Sequence, residues 1–336
     1  DKIAYKNVIS NGLVLDKSGQ KMSKRLGNAV DPFETLASFG PDATRWYMIT
    51  NAQPWDNLKF DLDGIKEVQR KFFGTLYNTY GFFSLYANVD GYKGYETIIP
   101  LENRPEIDRW IISKLNSLIK HVENLYENYE PTKAGRAIQQ FVIDELSNWY
   151  VRLCRRRFWK GDYSEDKIAA YQTLHECLIS VSILASPIAP FYTDELFRNL
   201  TAFNNNEHES VHLSLFPKVN ARSINHDLEQ KMIIAQRVCS LGLGLRKKEK
   251  IKVRQPLEKI IVPSVDKTFS ARINAVQDLI LSELNVKNLE LLSSGSTFLK
   301  KKIKPNFKSI GPKYGKQMKA ISSMVLGWGT EEINNV

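Results

Sequence analysis

The stretch Gly19-Gln20-Lys21-Met22-Ser23-Lys24-Arg25-Leu26-Gly27-Asn28 carries three cations and a hydroxyl between two glycines. Because glycine adopts backbone angles that other residues avoid, this stretch is predicted to form a mobile surface loop. Lys21, Lys24 and Arg25 suit the loop to closing over a polyphosphate, since preplaced cations stabilise the charge that develops on a departing phosphate group. A solvated basic loop is the competing interpretation, because short runs of Lys and Arg are common.

The residues on either side of the loop favour the phosphate-binding interpretation. Upstream, residues 6–9 and 13–15 are predicted to be short strands around an Asn11-Gly12 turn. Downstream, Asp31-Pro32-Phe33-Glu34 has the order of an N-cap, a proline at the first helical position and a glutamate three residues after the cap. That helix should end near Gly40, and a second helix should start at Pro41.

Composition limits the class of protein. The chain has 336 residues, 43% hydrophobic and 25% charged, which is ordinary for a soluble globular protein of two or three domains. No apolar run approaches the roughly 18 residues of a membrane helix, and no signal peptide is evident. Asp1 in place of a methionine predicts a piece of a longer protein. Three isolated cysteines predict neither a disulfide framework nor a zinc site, and we expect a monomer in the reducing cytoplasm.

Positive charge is concentrated in the last hundred residues. Residues 237–336 hold 19 Lys and Arg against 8 Asp and Glu, a net charge of +11, whereas the preceding residues have a net charge of −1. Such asymmetry favours contact with nucleic acid, although a Lys-rich solubilising tail would show the same imbalance.

The middle of the chain is predicted to be a helical bundle. Apolar residues recur every three or four positions within 105–129, 134–153 and 166–185, the three long bundle helices, and a shorter helix is expected to end at Leu200. A separate long helix with the same spacing is predicted ahead of the bundle, over residues 63–86. Residues 88–100 and 217–223 are interpreted as linkers, and Val211-His212-Leu213 as a short extended piece. Long helices with short connections form bundles.

The end of the second bundle helix combines arginines with tryptophans. Arg152, Arg155, Arg156 and Trp159 fall within about 100° of arc on an ideal helix. Such a surface can neutralise phosphates and stack unpaired bases, so we favour an RNA-facing role for it. The alternative is that these groups only complement the helix dipole, and Trp149 is assigned to the core.

The remainder of the chain is predicted to be a small basic α/β domain. A helix over residues 227–250 is followed by strands at 259–262 and 286–292 around a helix at 268–284, a β-α-β unit. A further strand at 298–304 and a last helix from Lys313 are also expected. The basic run at the end of the first helix provides further RNA-facing candidates: Arg246, Lys247, Lys248, Lys250 and Arg254.

Together these features resemble the class I aminoacyl-tRNA synthetases, whose signature loop is written KMSKS, with Arg25 in place of the last serine. The resemblance extends to the C-terminal part of the isoleucyl-tRNA synthetase family through residues 148–159, 250–257, 283–287 and 305–319. It implies a mainly α fold: the end of a catalytic domain (1–50), a helical junction (51–100), an anticodon-binding helical bundle (101–217) and a truncated α/β C-terminal domain (218–336).

The resemblance also implies a function. The intact enzyme would activate isoleucine with ATP and Mg²⁺ and transfer it to tRNA(Ile). Lys21 and Lys24 match the catalytic loop lysines, and Met22, Ser23 and Arg25 complete the ATP contact. The family's His-x-Gly-His motif is missing, so this part alone is not expected to be catalytic. A valyl or leucyl enzyme, a stand-alone RNA-binding module and a merely solvated helical scaffold remain alternatives.

Overall fold

The computed structural model describes residues 3–202, 209–264, 266–292, 303–329 and 332–333. The chain forms two compact units, Asp1–Glu229 and Gln230–Val336. The predicted polar loop tip at Asn204-Asn205-Asn206 and most of the predicted strand at 298–304 lie outside the described residues. The chain is mainly α-helical, as expected, and the domain boundaries at 50, 100 and 217 stay predictions.

The first unit begins with short elements around the signature loop. They are β1 (Val14–Leu15), α1 (Pro32–Phe39), α2 (Pro41–Asn51) and β2 (Leu58–Lys59). The cap at Asp31 is confirmed, because its Oδ1 accepts hydrogen bonds from the backbone N–H groups of Phe33 at 2.8 Å and Glu34 at 3.1 Å. Gly40, with φ of 79°, separates α1 from α2 as predicted.

The predicted hairpin at the start of the chain is wrong. Instead of pairing with residues 6–9, β1 pairs in parallel with β2, with Val14 opposite Leu58. The reason is that the backbone donors around the expected turn are already used: Gly12 N–H donates to Pro54 O at 2.8 Å, and Leu13 N–H donates to Asn57 Oδ1 at 2.9 Å.

The helical bundle follows the predicted order. The helical region ahead of the bundle consists of α3 (Leu62–Val68), a π-helical turn (Gln69–Phe73) and α4 (Gly74–Asp90). The bundle segments are α5 (Glu106–Glu127), α6 (Pro131–Gln140), a π-helical segment (Phe141–Val151), α7 (Arg152–Trp159), α8 (Glu165–Ala185) and α9 (Pro190–Thr201). Ile111, Leu146 and Leu178 are fully buried, as the helical spacing of the apolar residues requires. By length and composition α8 could cross a membrane, but 67% of its most apolar window is buried inside the fold, as in a core helix.

Polar contacts join the signature-loop region to the bundle. Arg136 donates from Nε to Thr50 O at 2.7 Å and from Nη2 to Asn51 O at 3.0 Å, which satisfies carbonyls at the end of α2. Arg45 on α2 donates to the carbonyls of Pro187 and Ile188, just after α8. These bonds fix α2 at the C-terminal end of α8.

Residues 211–213 are not extended as predicted but form one 3₁₀ turn, Val211–Leu213. The cause is Asp194 on α9, whose Oδ1 accepts from Ser210 Oγ at 2.6 Å and from Val211 N–H at 2.9 Å. These two bonds curl the backbone at the point where the turn begins.

The second unit contains the predicted β-α-β arrangement. After α10 (His226–Lys248) come β3 (Leu257–Pro263), α11 (Lys267–Ala275), α12 (Gln277–Leu284) and β4 (Val286–Leu292), then α13 (Phe307–Tyr314) and α14 (Met318–Leu326). Strands β3 and β4 pair in parallel. The single helix predicted over 268–284 is interrupted at Val276, between α11 and α12.

Candidate nucleotide-binding loop and RNA-facing surfaces

The signature loop is an ordered turn that closes on β1. Leu15 and Lys21 form an antiparallel bridge at its base. Residues Lys24–Leu26 form a 3₁₀ turn, capped by Ser23 Oγ, which accepts from Arg25 N–H at 3.2 Å. Gly27, with φ of 65°, ends the turn by donating its N–H to Lys24 O at 3.2 Å. The sequence predicted a loop here but not this internal order.

The loop separates its cations from its apolar side chain. Lys21, Lys24 and Arg25 are exposed, and within the part of the chain that the structure describes they make no ion pair. Met22 is partly buried and packs against the cluster that contains Tyr47. Three positive charges are therefore presented to solvent from a loop that is anchored on its other side.

The surface of α7 matches the predicted arc in its exposure. Arg152, Arg155 and Arg156 are exposed, and 49% of Trp159 is exposed. Trp149 is buried, which confirms its assignment to the core, and the Arg152 guanidinium lies 5.5 Å from the centroid of its ring. Cationic groups beside an exposed aromatic ring are suited to binding RNA phosphates and bases. The RNA-binding role of this surface stays a prediction.

Arg157, in the same run, has a different environment that the sequence did not reveal. Its guanidinium donates twice to the carboxylate of Asp108, and its Nε donates to Asp166 Oδ2 at 3.0 Å. Although burial disfavours the charged guanidinium, the hydrogen bonds and charge of Asp108 outweigh it and raise the pKa of Arg157. Tyr150 O–H also donates to Asp108, at 2.8 Å. This network fixes the last turn of α7 against α5 and α8.

Arg246 is not RNA-facing, which corrects the prediction. Only 5% of it is exposed, and its guanidinium donates to four backbone carbonyls: those of Lys252, Gln255, Leu284 and Asn285. The side chain is used inside the second unit to hold the segment that follows α10. Its neighbours in the run are exposed, and their RNA role stays a prediction: Lys247, Lys248, Lys250 and Arg254.

The two cationic surfaces of the first unit lie at opposite ends of α8. Arg45, which lines the same apolar recess as Met22 of the loop, is bonded to the carbonyls just after the C-terminal end of α8. Arg157, beneath the arginine surface, is bonded to Asp166 in its first turn. Since a helix rises 1.5 Å per residue, the 21 residues of α8 are about 30 Å long, so Arg45 and Arg157 contact points about 30 Å apart.

The described residues contain no group of three or more His, Cys, Asp or Glu placed to hold a metal ion. Cys154, Cys177 and Cys239 are buried thiols. Burial raises the pKa of Cys154 to about 12, so this thiol has little nucleophilic character at neutral pH.

Two family profiles match the chain. One, described as the anticodon-binding domain of tRNA ligase, covers residues 108–261, and the other, described as tRNA synthetases class I (I, L, M and V), covers residues 1–61. A signature loop beside a helical bundle, together with these two matches, places the chain in the class I tRNA synthetase family.

Curated relatives of the chain within this class are named isoleucine--tRNA ligase. The chain is 58% identical to isoleucine--tRNA ligase of Cytophaga hutchinsonii over 100% of this chain and 30% of that protein. It is 57% identical to the Porphyromonas gingivalis enzyme over 99% of the chain and 29% of the relative, and 40% identical to the Thermus thermophilus enzyme over 94% and 30%. The chain belongs to the isoleucine--tRNA ligase family, and it spans about 30% of the length of these relatives.

Among solved structures, the chain is similar to the ternary complex of the Agrobacterium radiobacter K84 LeuRS with tRNA and LeuAMS. The TM-score is 0.49 at 22% identity, over 64% of this chain and 24% of that one. A similarity at this level carries no argument about function.

Proposed function

We propose that this chain supplies the phosphate-binding loop and the anticodon-reading part of an enzyme that joins isoleucine to tRNA(Ile). The observation that carries the proposal is the pair of exposed cationic surfaces at opposite ends of α8, in a chain that is similar along its whole length to isoleucine--tRNA ligases. The larger protein would activate isoleucine with ATP and then transfer it to the tRNA.

The loop acts on the triphosphate. Lys21 and Lys24 are exposed, and no acidic group among the described residues pairs with them, so their full charge is available to the phosphate oxygens as pyrophosphate departs. Arg25 adds a third charge, while Ser23 holds the turn that carries Lys24. Mg²⁺ would be held by the phosphates of ATP, because the exposed side chains of the loop are cations rather than acidic ligands.

The bundle acts on the RNA. Arg152, Arg155 and Arg156 can neutralise phosphates, and the half-exposed ring of Trp159 can stack on an unpaired base. Exposed cations at the end of α10 and just after it, in the second unit, offer further phosphate contacts: Lys247, Lys248, Lys250 and Arg254.

The test is isoleucine-dependent exchange of pyrophosphate into ATP, followed by aminoacylation of tRNA(Ile), by the full-length protein that contains this chain. The proposal predicts both reactions, with isoleucine preferred over valine and leucine. Tight tRNA binding without amino-acid-dependent exchange would identify a stand-alone RNA-binding module instead. Exchange that depends on valine or leucine would contradict the isoleucine assignment.

A further inference from the structure

The amide side chain of Asn28 joins both ends of the signature loop. Its Nδ2 donates to Lys21 O at 3.2 Å and to Asp16 Oδ2 at 2.9 Å, and its Oδ1 accepts from Ser23 N–H at 2.9 Å. One side chain therefore hydrogen-bonds to the backbone on either side of Met22 and links that backbone to the carboxylate of Asp16.

Asp16 is itself fixed in place. Its Oδ1 accepts from the backbone N–H groups of Ser18 at 2.9 Å and Gln20 at 2.8 Å, and the residue directly follows β1. The hydrogen bond from Gln20, followed by that from Asn28, lowers the pKa of Asp16, so the carboxylate is an ionised acceptor at neutral pH. The carboxylate and the amide form what is called here the Asp16–Asn28 clasp.

We infer that Asp16 and Asn28 are positioning residues that hold the loop cations where the phosphates bind. The inference rests on the proposed function and deepens it. The bond to Lys21 O fixes the backbone that carries the first lysine, and the bond to Ser23 N–H fixes the start of the turn that carries Lys24. Neither clasp residue needs to touch the substrate.

Preorganisation is the physical reason for such a clasp. A cation held in place before the reaction stabilises developing charge without reorganising at that moment, whereas a loop that must first be ordered loses part of this benefit. Met22 anchors the loop from its apolar side, so the clasp and Met22 together restrain the backbone from two directions. Loss of the clasp alone should loosen the loop without unfolding its surroundings.

The test compares variants of the full-length protein. Asn28→Asp keeps the shape of the side chain but removes both N–H donors and places a second carboxylate against Asp16. We expect kcat for isoleucine-dependent pyrophosphate exchange to fall about 10- to 100-fold, the scale of a misplacement near 1 Å. The KM for isoleucine and the Kd for tRNA(Ile) should not change.

Exchanging the two groups provides the rescue. In Asp16→Asn combined with Asn28→Asp, the new amide donates to the new carboxylate, so the bond between positions 16 and 28 is restored with reversed polarity. This double variant should recover part of the kcat that Asn28→Asp loses, although the bond to Lys21 O stays absent. Asn11→Asp, at an exposed asparagine upstream, is the matched control and should retain the unmodified rate.

Two outcomes would overturn the inference: an Asn28→Asp rate within twofold of the unmodified protein, or a double variant slower than both single variants. Trypsin cleavage after Lys21, Lys24 and Arg25 in the native protein gives a readout that does not need activity, and it should accelerate in Asn28→Asp. If the unmodified protein shows no isoleucine-dependent exchange, the proposed function fails. Unchanged cleavage would then contradict the clasp separately.

Discussion

The guanidinium of Arg157 binds the carboxylate of Asp108 through two parallel hydrogen bonds, Nη1 to Oδ1 at 2.6 Å and Nη2 to Oδ2 at 2.8 Å. Asp108 is fully buried near the start of α5, while Arg157 lies in the last turn of α7. The pair is thus the internal support of the helix whose outer side presents Arg152, Arg155 and Arg156.

Arg157→Leu should strongly destabilise the chain. Removing one member of a buried pair leaves Asp108 as an uncompensated charge, at a cost of about 3–5 kcal/mol in the free energy of unfolding. Urea denaturation of the chain measures this cost. Arg155→Leu, at an exposed neighbour, is the control and should change stability by no more than about 0.5 kcal/mol. Equal losses in the free energy of unfolding for the two substitutions would show that the buried ion pair stabilises the chain no more than an exposed arginine does.

Arg155→Glu combined with Arg156→Glu should weaken tRNA binding and leave the fold intact. Both side chains are exposed, and reversing two phosphate-facing charges should raise the Kd for tRNA about 10-fold or more and reduce its salt dependence. Filter binding at several salt concentrations measures both quantities, and circular dichroism monitors helicity. Reversing Arg109 and Lys120 on α5 makes the same change in net charge. If that control weakens binding equally, the effect belongs to overall charge and not to α7.

Lys24→Ala in the full-length protein should slow adenylate formation by about 100-fold, the scale of losing one preorganised charge in a transition state. Pyrophosphate exchange is the measurement. Lys17→Ala removes another exposed lysine, just before the loop, and should leave the rate unchanged. A near-normal rate for Lys24→Ala would mean that the loop has only a structural role.

The lowered pKa of Asp194 predicts that the free energy of unfolding depends on pH in the acidic range. Burial would raise the pKa of its carboxyl, but hydrogen bonds from Ser210, Arg198 and the Val211 amide outweigh burial and lower the pKa to about 2, from 3.8. Because the folded-state pKa is the lower one, the stabilisation is fully present above about pH 4 and is lost as the pH falls through about 2.

The corresponding measurement is the difference in unfolding free energy between the unmodified chain and Asp194→Asn as a function of pH. Asparagine keeps an acceptor for Ser210 and Val211 but cannot form the ion pair with Arg198. The difference should be constant at neutral pH and should shrink between about pH 4 and pH 2. A difference that does not change in that range would contradict the lowered pKa.

Local patterns predicted the helices well because their causes are local. The Asp31 cap, the break at Gly40 and the buried face of α5 follow from adjacent residues and from helical spacing. The parallel pairing of β1 with β2 was missed because it depends on donors that segments more than forty residues away capture, such as Asn57 for the N–H of Leu13.

The roles of individual cations could not be predicted from the sequence either. Arg155, Arg156 and Arg157 are the same residue type in succession, yet among the residues that the structure describes only Arg157 pairs with a buried carboxylate. That carboxylate, Asp108, lies on a different helix. Arg246 belongs to a basic run but is enclosed by four carbonyls that come from later segments. Which cation faces solvent depends on tertiary partners, and spacing along one helix does not define those partners.

Anticodon reading by this chain is tested most directly by the binding of the full-length protein to purified tRNA(Ile) and tRNA(Val) at two salt concentrations. An anticodon-reading bundle predicts preference for tRNA(Ile), with a Kd below the roughly 10⁻⁴–10⁻⁶ M of non-specific binding, and the preference should persist at the higher salt. Equal binding of the two tRNAs that disappears as salt is raised would contradict the claim that this chain reads the isoleucine tRNA.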